Sequence, residues 1–239
     1  MANDTRRAEP YRVALYWSPR PGSAAWEAGC GWLGRDTATS EALTQPQVPG
    51  VAPALLEQIT ADPRRYGFHA TLKPPFRLRA DQTLASLEAA VDSLAQVLAA
   101  CPMPGLKVGM LDGFLALRPM APLPRVQALA AACVKTLHPL AEPPSAQELA
   151  RRRQAGLTPQ QDALLKAWGY PWVLGEFRFH CSLTSRLDAL DQVQREALMD
   201  AARERFDGLP AQRLDRLSVF IELTAGAPFR LHRQWELRP

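Results

Sequence analysis

Cysteine is scarce and scattered in this chain of 239 residues: Cys30, Cys101, Cys133 and Cys181 stand far apart, with no CxxC pair. That spacing excludes a disulfide framework and a clustered zinc site; reduced thiols, with no resident metal or other cofactor, are expected. No run of 18 uncharged apolar residues occurs, and the charged start, Met-Ala-Asn-Asp-Thr-Arg-Arg, leads into no apolar leader stretch. A soluble, cytoplasmic chain without a membrane partner is expected. Charge of one sign is also in short supply, since 28 Lys and Arg against 24 Asp and Glu leave +4. That balance suits a small anionic ligand and is too weak alone for a nucleic-acid footprint. Apolar residues at 47% and charged residues at 22% are ordinary globular usage, which excludes a disordered or fibrous chain.

Of the 22 prolines, eight punctuate the middle third, around 102–104, 119–124 and 139–144, where helices and strands are expected to stop and two halves to join. Arg12 to Trp17 reads as a strand and Pro53 to Ile59 as a short helix. Gly67 to Leu72 reads as a strand ended by Pro74-Pro75. Asp81 to Ala99, with Leu84, Leu87, Val91, Leu94 and Leu98 at steps of three and four, reads as an amphipathic helix. Leu106–Leu111 and Phe114–Leu117 flank Asp112-Gly113, a strong hairpin signal. The order repeats: a helix capped by Thr158-Pro159, a strand over Glu176–Thr184, a helix over Leu190–Phe206, and a hairpin around Ala225-Gly226. From strand histidine to turn glycine the separation is 44 residues in one half and 46 in the other. An internal duplication follows. The expected fold is α+β, one 1–239 unit of two pseudo-twofold lobes, roughly 11–120 and 121–239. Each lobe is an antiparallel sheet backed by helices, with a cleft between them and strands free to be exchanged.

The closest match between the halves is Phe68-His69-Ala70-Thr71-Leu72 against Phe179-His180-Cys181-Ser182-Leu183, 111 positions apart. In a strand, residues i and i+2 share a face. Each histidine therefore stands beside a hydroxyl, Thr71 or Ser182, while Phe68, Ala70, Leu72, Phe179, Cys181 and Leu183 turn into the core. Strand packing alone gives no reason for imidazole at both equivalent positions. Two imidazoles and two short hydroxyls paired across a twofold suit a phosphodiester. One neutral histidine takes a proton from water or a sugar hydroxyl, the other gives one to the leaving oxygen, and the Thr71 and Ser182 hydroxyls donate to non-bridging phosphate oxygens.

The pair His-Ala-Thr and His-Cys-Ser resembles the HxT/S motifs of the two-histidine (2H) phosphoesterase superfamily, which includes LigT-like RNA 2′,3′-cyclic phosphodiesterases. The stretches Arg-Tyr66-Gly-Phe-His-Ala-Thr-Leu-Lys73-Pro-Pro-Phe and Arg151-Arg152-Arg153 through Trp168-Gly-Tyr170-Pro-Trp172 to the second motif resemble its bacterial phosphonate-metabolism subgroup. Ser182 stands where threonine is commoner and keeps the hydroxyl. The resemblance implies a duplicated α+β fold and metal-independent hydrolysis of a cyclic phosphodiester, with a ribose 1,2-cyclic phosphate bearing a 5-phosphate as leading substrate.

A second phosphate needs further cations. Lys73, four residues past His69 and expected on the same strand face, Arg186 on the rim, and Arg151, Arg152 and Arg153 as an anion clamp are the candidates. Tyr16 and Tyr66 are candidates to orient substrate, while Trp168, Tyr170 and Trp172 read as packing residues. Two other readings stay open: an RNA 2′,3′-cyclic phosphodiesterase or RNA-end ligase acting on RNA ends, and a non-catalytic module binding a phosphorylated metabolite. A monomer is favoured. For the enzyme, rate should depend on pH as a bell with limbs on either side of neutrality, which nearby cations lower and bound phosphate raises.

Overall fold

A computed structural model describes residues 9–239; the charged start Met1–Arg7 lies outside the described residues. The elements run β1 (Arg12–Trp17), α1 (Ala24–Leu33), α2 (Pro53–Tyr66), β2 (Ala70–Phe76), α3 (Leu84–Val97), β3 (Cys101–Met103), β4 (Leu106–Leu111), β5 (Phe114–Pro119) and α4 (Pro124–Leu137). There follow α5 (Ala146–Arg153), α6 (Pro159–Trp168), β6 (Cys181–Arg186), α7 (Gln192–Phe206), β7 (Gln212–Leu214), β8 (Arg216–Glu222) and β9 (Arg230–Glu236). Local chemistry explains most boundaries. Thr83, Ser145 and Thr158 each cap a helix through a reciprocal capping box. Asp112 and Gly113 both take positive φ, 47° and 90°, as a tight turn between β4 and β5 demands.

Seven strands form one sheet in the order β4-β5-β6-β2-β1-β8-β9, with antiparallel neighbours throughout. Read outward from the junction of β6 with β2, the order is a palindrome: β6, β5, β4 on one side and β2, β1, β8 on the other, with β9 added at an edge. The two expected sheets are thus two arms of one sheet, joined at the single pair Ala70 with Cys181. β3 and β7 make a separate ribbon in which Pro102 pairs with Arg213. Both pairs keep the 111-residue separation of the two histidines, so the pseudo-twofold axis passes through them. Each arm draws strands from both halves of the chain, β8 joining β1 and β5 joining β6. The two hairpins expected to be equivalent are therefore not superposed by this twofold, which carries β1 onto β5 and β4 onto β8.

Three further expectations are corrected. Pro124 does not stop structure but opens α4 at its first turn, where the missing N–H costs nothing, and α4 buries Val126, Leu129, Cys133 and Leu137. β2 runs through Pro74-Pro75 because the β1–β2 register is irregular there, and a ladder gap is where proline is tolerated. The second motif strand starts only at Cys181. On one face of the sheet Val13, Leu15, Trp17, Leu72, Leu117, Leu183 and Val219 form the main core. On the other face Ala14, Tyr16, Phe220 and Phe229 form a smaller cluster, and the candidate site opens beside it.

Candidate active site

The two histidines are held in one way by different local structure. α2 ends at Tyr66 and the chain turns at Gly67, φ 84°, where a Cβ would stand 2.1 Å from Thr37 Cγ2. The Gly67 carbonyl accepts a hydrogen bond from His69 Nδ1 at 2.8 Å. In the other arm the Arg178 carbonyl accepts from His180 Nδ1, also at 2.8 Å. A carbonyl only accepts, so Nδ1 carries the proton in both rings and each neutral imidazole keeps Nε2 free for chemistry. His69 Nε2 lies 3.2 Å from Thr71 Oγ1.

The Ala70–Cys181 pair fixes how these side chains meet. Carried one residue each way, the antiparallel register sets His69 across from Ser182 and Thr71 across from His180, on one face of two neighbouring strands. His69, Thr71, His180 and Ser182 all line one cavity of about 660 Å³, together with Arg12, Tyr16, Tyr66, Arg151, Arg152, Tyr170 and Arg186.

The twofold does not extend to the surroundings of the rings. Tyr16 pairs with Thr71 and stacks on His69, ring centroids 3.7 Å apart, whereas Ala116 pairs with Ser182 at the related place. Burial, with a smaller push from His180, brings the His69 pKa down to about 4 against the pull of the Gly67 carbonyl. Burial also lowers His180, against the pull of the Arg178 carbonyl; the Arg178 charge adds to the lowering and Asp112, ion-paired to Arg178, opposes it more weakly. At neutral pH both rings of the free protein are neutral. The first cause is enclosure; at His180 the charge of Arg178 adds to it, while Lys73 and Arg151 to Arg153 act on neither ring.

A family model described as "Protein of unknown function (DUF1045)" matches residues 71–230, a stretch that includes Thr71, His180 and Ser182 and begins two residues after His69. The chain belongs to the DUF1045 family. Ribose 1,5-bisphosphate phosphokinase PhnN of Janthinobacterium sp. (strain Marseille) is 39% identical over 221 residues, covering 91% of this chain and 49% of that protein. The protein of the same description from Laribacter hongkongensis (strain HLHK9) is 36% identical over 222 residues, covering 93% and 51%. The DUF1045 chain thus spans about half the length of the curated relatives it matches. Among solved structures, E. coli LigT complexed with 3′-AMP is similar at a TM-score of 0.47 and 11% identity, covering 97% of this chain and 100% of that one. A further crystal structure of a phosphoesterase gives 0.42 and 13%, with coverage of 97% and 100%.

Other residues singled out in the sequence of this DUF1045 chain divide. Arg151 and Arg152 line the histidine cavity, and Arg152 lies over the Tyr170 ring at 4.9 Å. Arg153 points elsewhere, paired with Asp162 at 2.7 Å. Arg186 is on the rim but tied to Asp188 at 2.6 Å and to the Asp112 carbonyl at 2.7 Å. Tyr66 stacks on Phe229 at the wall. Tyr16 is fully buried, so it packs on His69 instead of presenting a wetted hydroxyl. Lys73 is not on the His69 face as strand alternation alone requires. One step along β1, from Leu15 to Tyr16, spans two on β2, from Lys73 to Thr71, so Lys73 sits opposite the core residue Leu15 and lines an adjoining cavity.

Arg12 was missed. It lines both cavities and is held with Arg65 by the buried carboxylate of Glu222, Arg65 at 2.7 Å. Alternation from Tyr16 through Ala14 was the available signal. All four thiols are buried, and burial raises Cys30 and Cys133 to about 12, so none is poised as a nucleophile. No described helix is long and apolar enough to cross a membrane.

Proposed function

We propose that this chain is a phosphoric diester hydrolase that opens a small cyclic phosphodiester by acid/base catalysis at two histidines, without a metal. The observation that carries the reading is the matched anchoring of both Nδ1 atoms on backbone carbonyls, which leaves two Nε2 atoms facing one cavity beside two hydroxyls. A proton acceptor and a donor so placed meet the needs of in-line hydrolysis, each transfer contributing ~10²–10⁴ in rate. His69, the ring held neutral more strongly, takes the proton of the attacking water. His180, beside Asp112, gives a proton to the departing sugar oxygen once the negative substrate has raised its affinity for one. Thr71 and Ser182 hold the non-bridging oxygens.

The leading substrate is a ribose 1,2-cyclic phosphate. Water adds at phosphorus, the bond from phosphorus to O2 breaks, and a 1-phosphate monoester with a free 2-hydroxyl leaves. If the ribose also bears a 5-phosphate, the product is ribose 1,5-bisphosphate, the compound in the name of the two relatives, and that favours this ring over others. The test is ³¹P detection of ring opening with EDTA present, offering ribose 1,2-cyclic phosphates and nucleoside 2′,3′-cyclic phosphates in parallel. Turnover of the ribose compounds is expected. Preferential turnover of the nucleoside compounds would make the protein an RNA-end enzyme, binding without turnover would make it a metabolite-binding module, and activity lost in EDTA and restored by a divalent ion would refute the mechanism.

A further inference from the structure

The carbonyls that anchor the two histidines differ in how they are held. The Gly67 carbonyl follows directly on α2, whose last turn ties the Gly67 N–H to the Pro63 carbonyl at 2.9 Å. The Arg178 carbonyl belongs to 177–180, a stretch in no helix or strand, just ahead of β6. That stretch is held through side chains. Phe179 is buried against Trp17, ring centroids 5.7 Å apart, and Arg178 lays its guanidinium on the Asp112 carboxylate, Nη1 on Oδ1 at 3.4 Å and Nη2 on Oδ2.

Asp112 is held in its turn. Arg186 Nη1 donates to its carbonyl at 2.7 Å, and the Leu187 N–H donates to the Gly113 carbonyl at 2.8 Å. The turn between β4 and β5 therefore grips β6 at both ends, ahead of His180 and behind Ser182. The other arm has a counterpart on β8, the strand onto which the twofold carries β4. There Glu222, at the end of β8, holds Arg65 at 2.7 Å, two residues ahead of Gly67.

An ion pair as exposed as this one, 53% for Arg178 and 56% for Asp112, contributes little to stability. Its use lies in geometry. The Arg178 carbonyl fixes the proton of His180 on Nδ1, so the tautomer depends on where that carbonyl points.

We propose that Asp112 and Arg178 are positioning residues for the reaction: the carboxylate holds the arginine, the carbonyl of that arginine holds His180 in its Nδ1–H form, and Nε2 stays turned to the phosphodiester. The inference rests on the catalytic reading above for what Nε2 does, not for how the ring is held. Asp112 also favours a proton on the ring and the Arg178 charge disfavours it, while Arg12, Asp62, His69, Arg151, Arg152 and Arg186 are the other charged groups and imidazole lining the shared cavity.

Asp112→Asn tests this on the full chain, since Asn-Gly serves the turn as well as Asp-Gly and only the charge is lost. Imidazole ¹⁵N shifts report the tautomer. In the parent both histidines are expected as Nδ1–H; in Asp112→Asn, His180 should become a mixture of tautomers and titrate at lower pH, with His69 as before. Turnover of a cyclic phosphate should lose about tenfold or more in kcat with little change in KM, while melting barely moves. Arg178→Gln should give the same mixture, Arg178→Lys should recover part of the loss, and the double variant Asp112→Asn with Arg178→Gln should be no worse than either alone. Glu236→Gln, which breaks an equally exposed pair with Arg20 on β9, is the control and should change none of these. A His180 that keeps the Nδ1–H form and the parental midpoint in both Asp112→Asn and Arg178→Gln would overturn the proposal. So would an equal disturbance of His69, which would mark general loosening. If the parent turns over no cyclic phosphate while the His180 tautomer still shifts in Asp112→Asn, the positioning stands and the catalytic reading falls.

Discussion

Tyr16 lies against His69 with ring planes inclined by 24°, and the twofold-related residue beside His180 is Ala116. One aromatic ring thus breaks the symmetry of an otherwise matched pair. It excludes water from one imidazole and leaves the other wetter and nearer to a carboxylate.

Replacing Tyr16 by Ala should therefore raise the His69 pKa from about 4 toward the ordinary value of 6.5. The His180 midpoint should move less. Histidine ring proton shifts followed through a pH titration measure both, and an unmoved His69 midpoint would rule out enclosure by Tyr16 as the cause.

Because burial lowers both rings, kcat/KM should trace a bell with both limbs on the acid side of 6.5, lower than the sequence alone implied. The limbs belong to the coupled pair. In kcat they should shift upward, since bound phosphate favours imidazolium. A rate still rising through pH 9 would require another nucleophile, and the assignment of both histidines would have to be dropped.

His69→Ala and His180→Ala should each reduce turnover by ~10²-fold or more with the fold intact, and the double variant should be far less than multiplicatively worse. Thr71→Val and Ser182→Ala should cost roughly ten- to a thousand-fold. Circular dichroism and melting beside the rates separate these losses from unfolding; full specific activity in an early-melting single variant would make the histidines packing residues.

Gly67→Ala should lower both stability and kcat. The positive φ resists a side chain and the added methyl meets Thr37, so a loss of ~1 kcal/mol or more is expected. The displaced Gly67 carbonyl would release His69 Nδ1, so kcat should fall more than KM changes. A wild-type kcat would show that the anchor is dispensable.

Lys73 makes stability depend on pH in the alkaline range. Its folded pKa, about 8, is below the ordinary 10.5, so between these values the unfolded chain holds more protons and the folded chain gains stability as pH rises. The gain is on the order of 3 kcal/mol for the shift. Lys73→Met should melt higher than the parent at pH 7, and the gap should close by pH 10. A gap constant with pH would mean that Lys73 is not desolvated.

The site was readable where chemistry repeats. Two His-x-hydroxyl motifs in apolar strands sufficed to bring His69, Thr71, His180 and Ser182 into one cavity, because strand alternation is a local rule. What alternation cannot anticipate is its own interruption, and the irregular register near Pro74-Pro75 moved Lys73 off the expected face. Helix α1 escaped notice for another reason. Ala25, Trp26, Ala28, Gly29, Cys30, Gly31, Trp32 and Leu33 are all buried, so no polar face sets a period, and Gly29 is there to admit Phe68, whose ring would stand 2.1 Å from a Cβ. Helix α4 carries the period, but Pro124 at its first turn is a residue that equally marks an ending in a sequence. Arg12 and Arg65 draw their meaning from Glu222, more than 150 residues away in sequence, and no window along the chain contains that contact.

The palindromic strand order has a consequence for how such a molecule is assembled. Two copies of a shorter ancestor, each lending its last strand to the other's sheet and each bringing one histidine to a shared axis, would make a symmetric dimer with this same layout. Joined head to tail at the Asp112-Gly113 turn, such copies would be free to differ, as Tyr16 in one arm differs from Ala116 in the other. Severing the chain at that turn should return two fragments, neither owning a complete arm or a complete pair of imidazoles, that fold only upon each other.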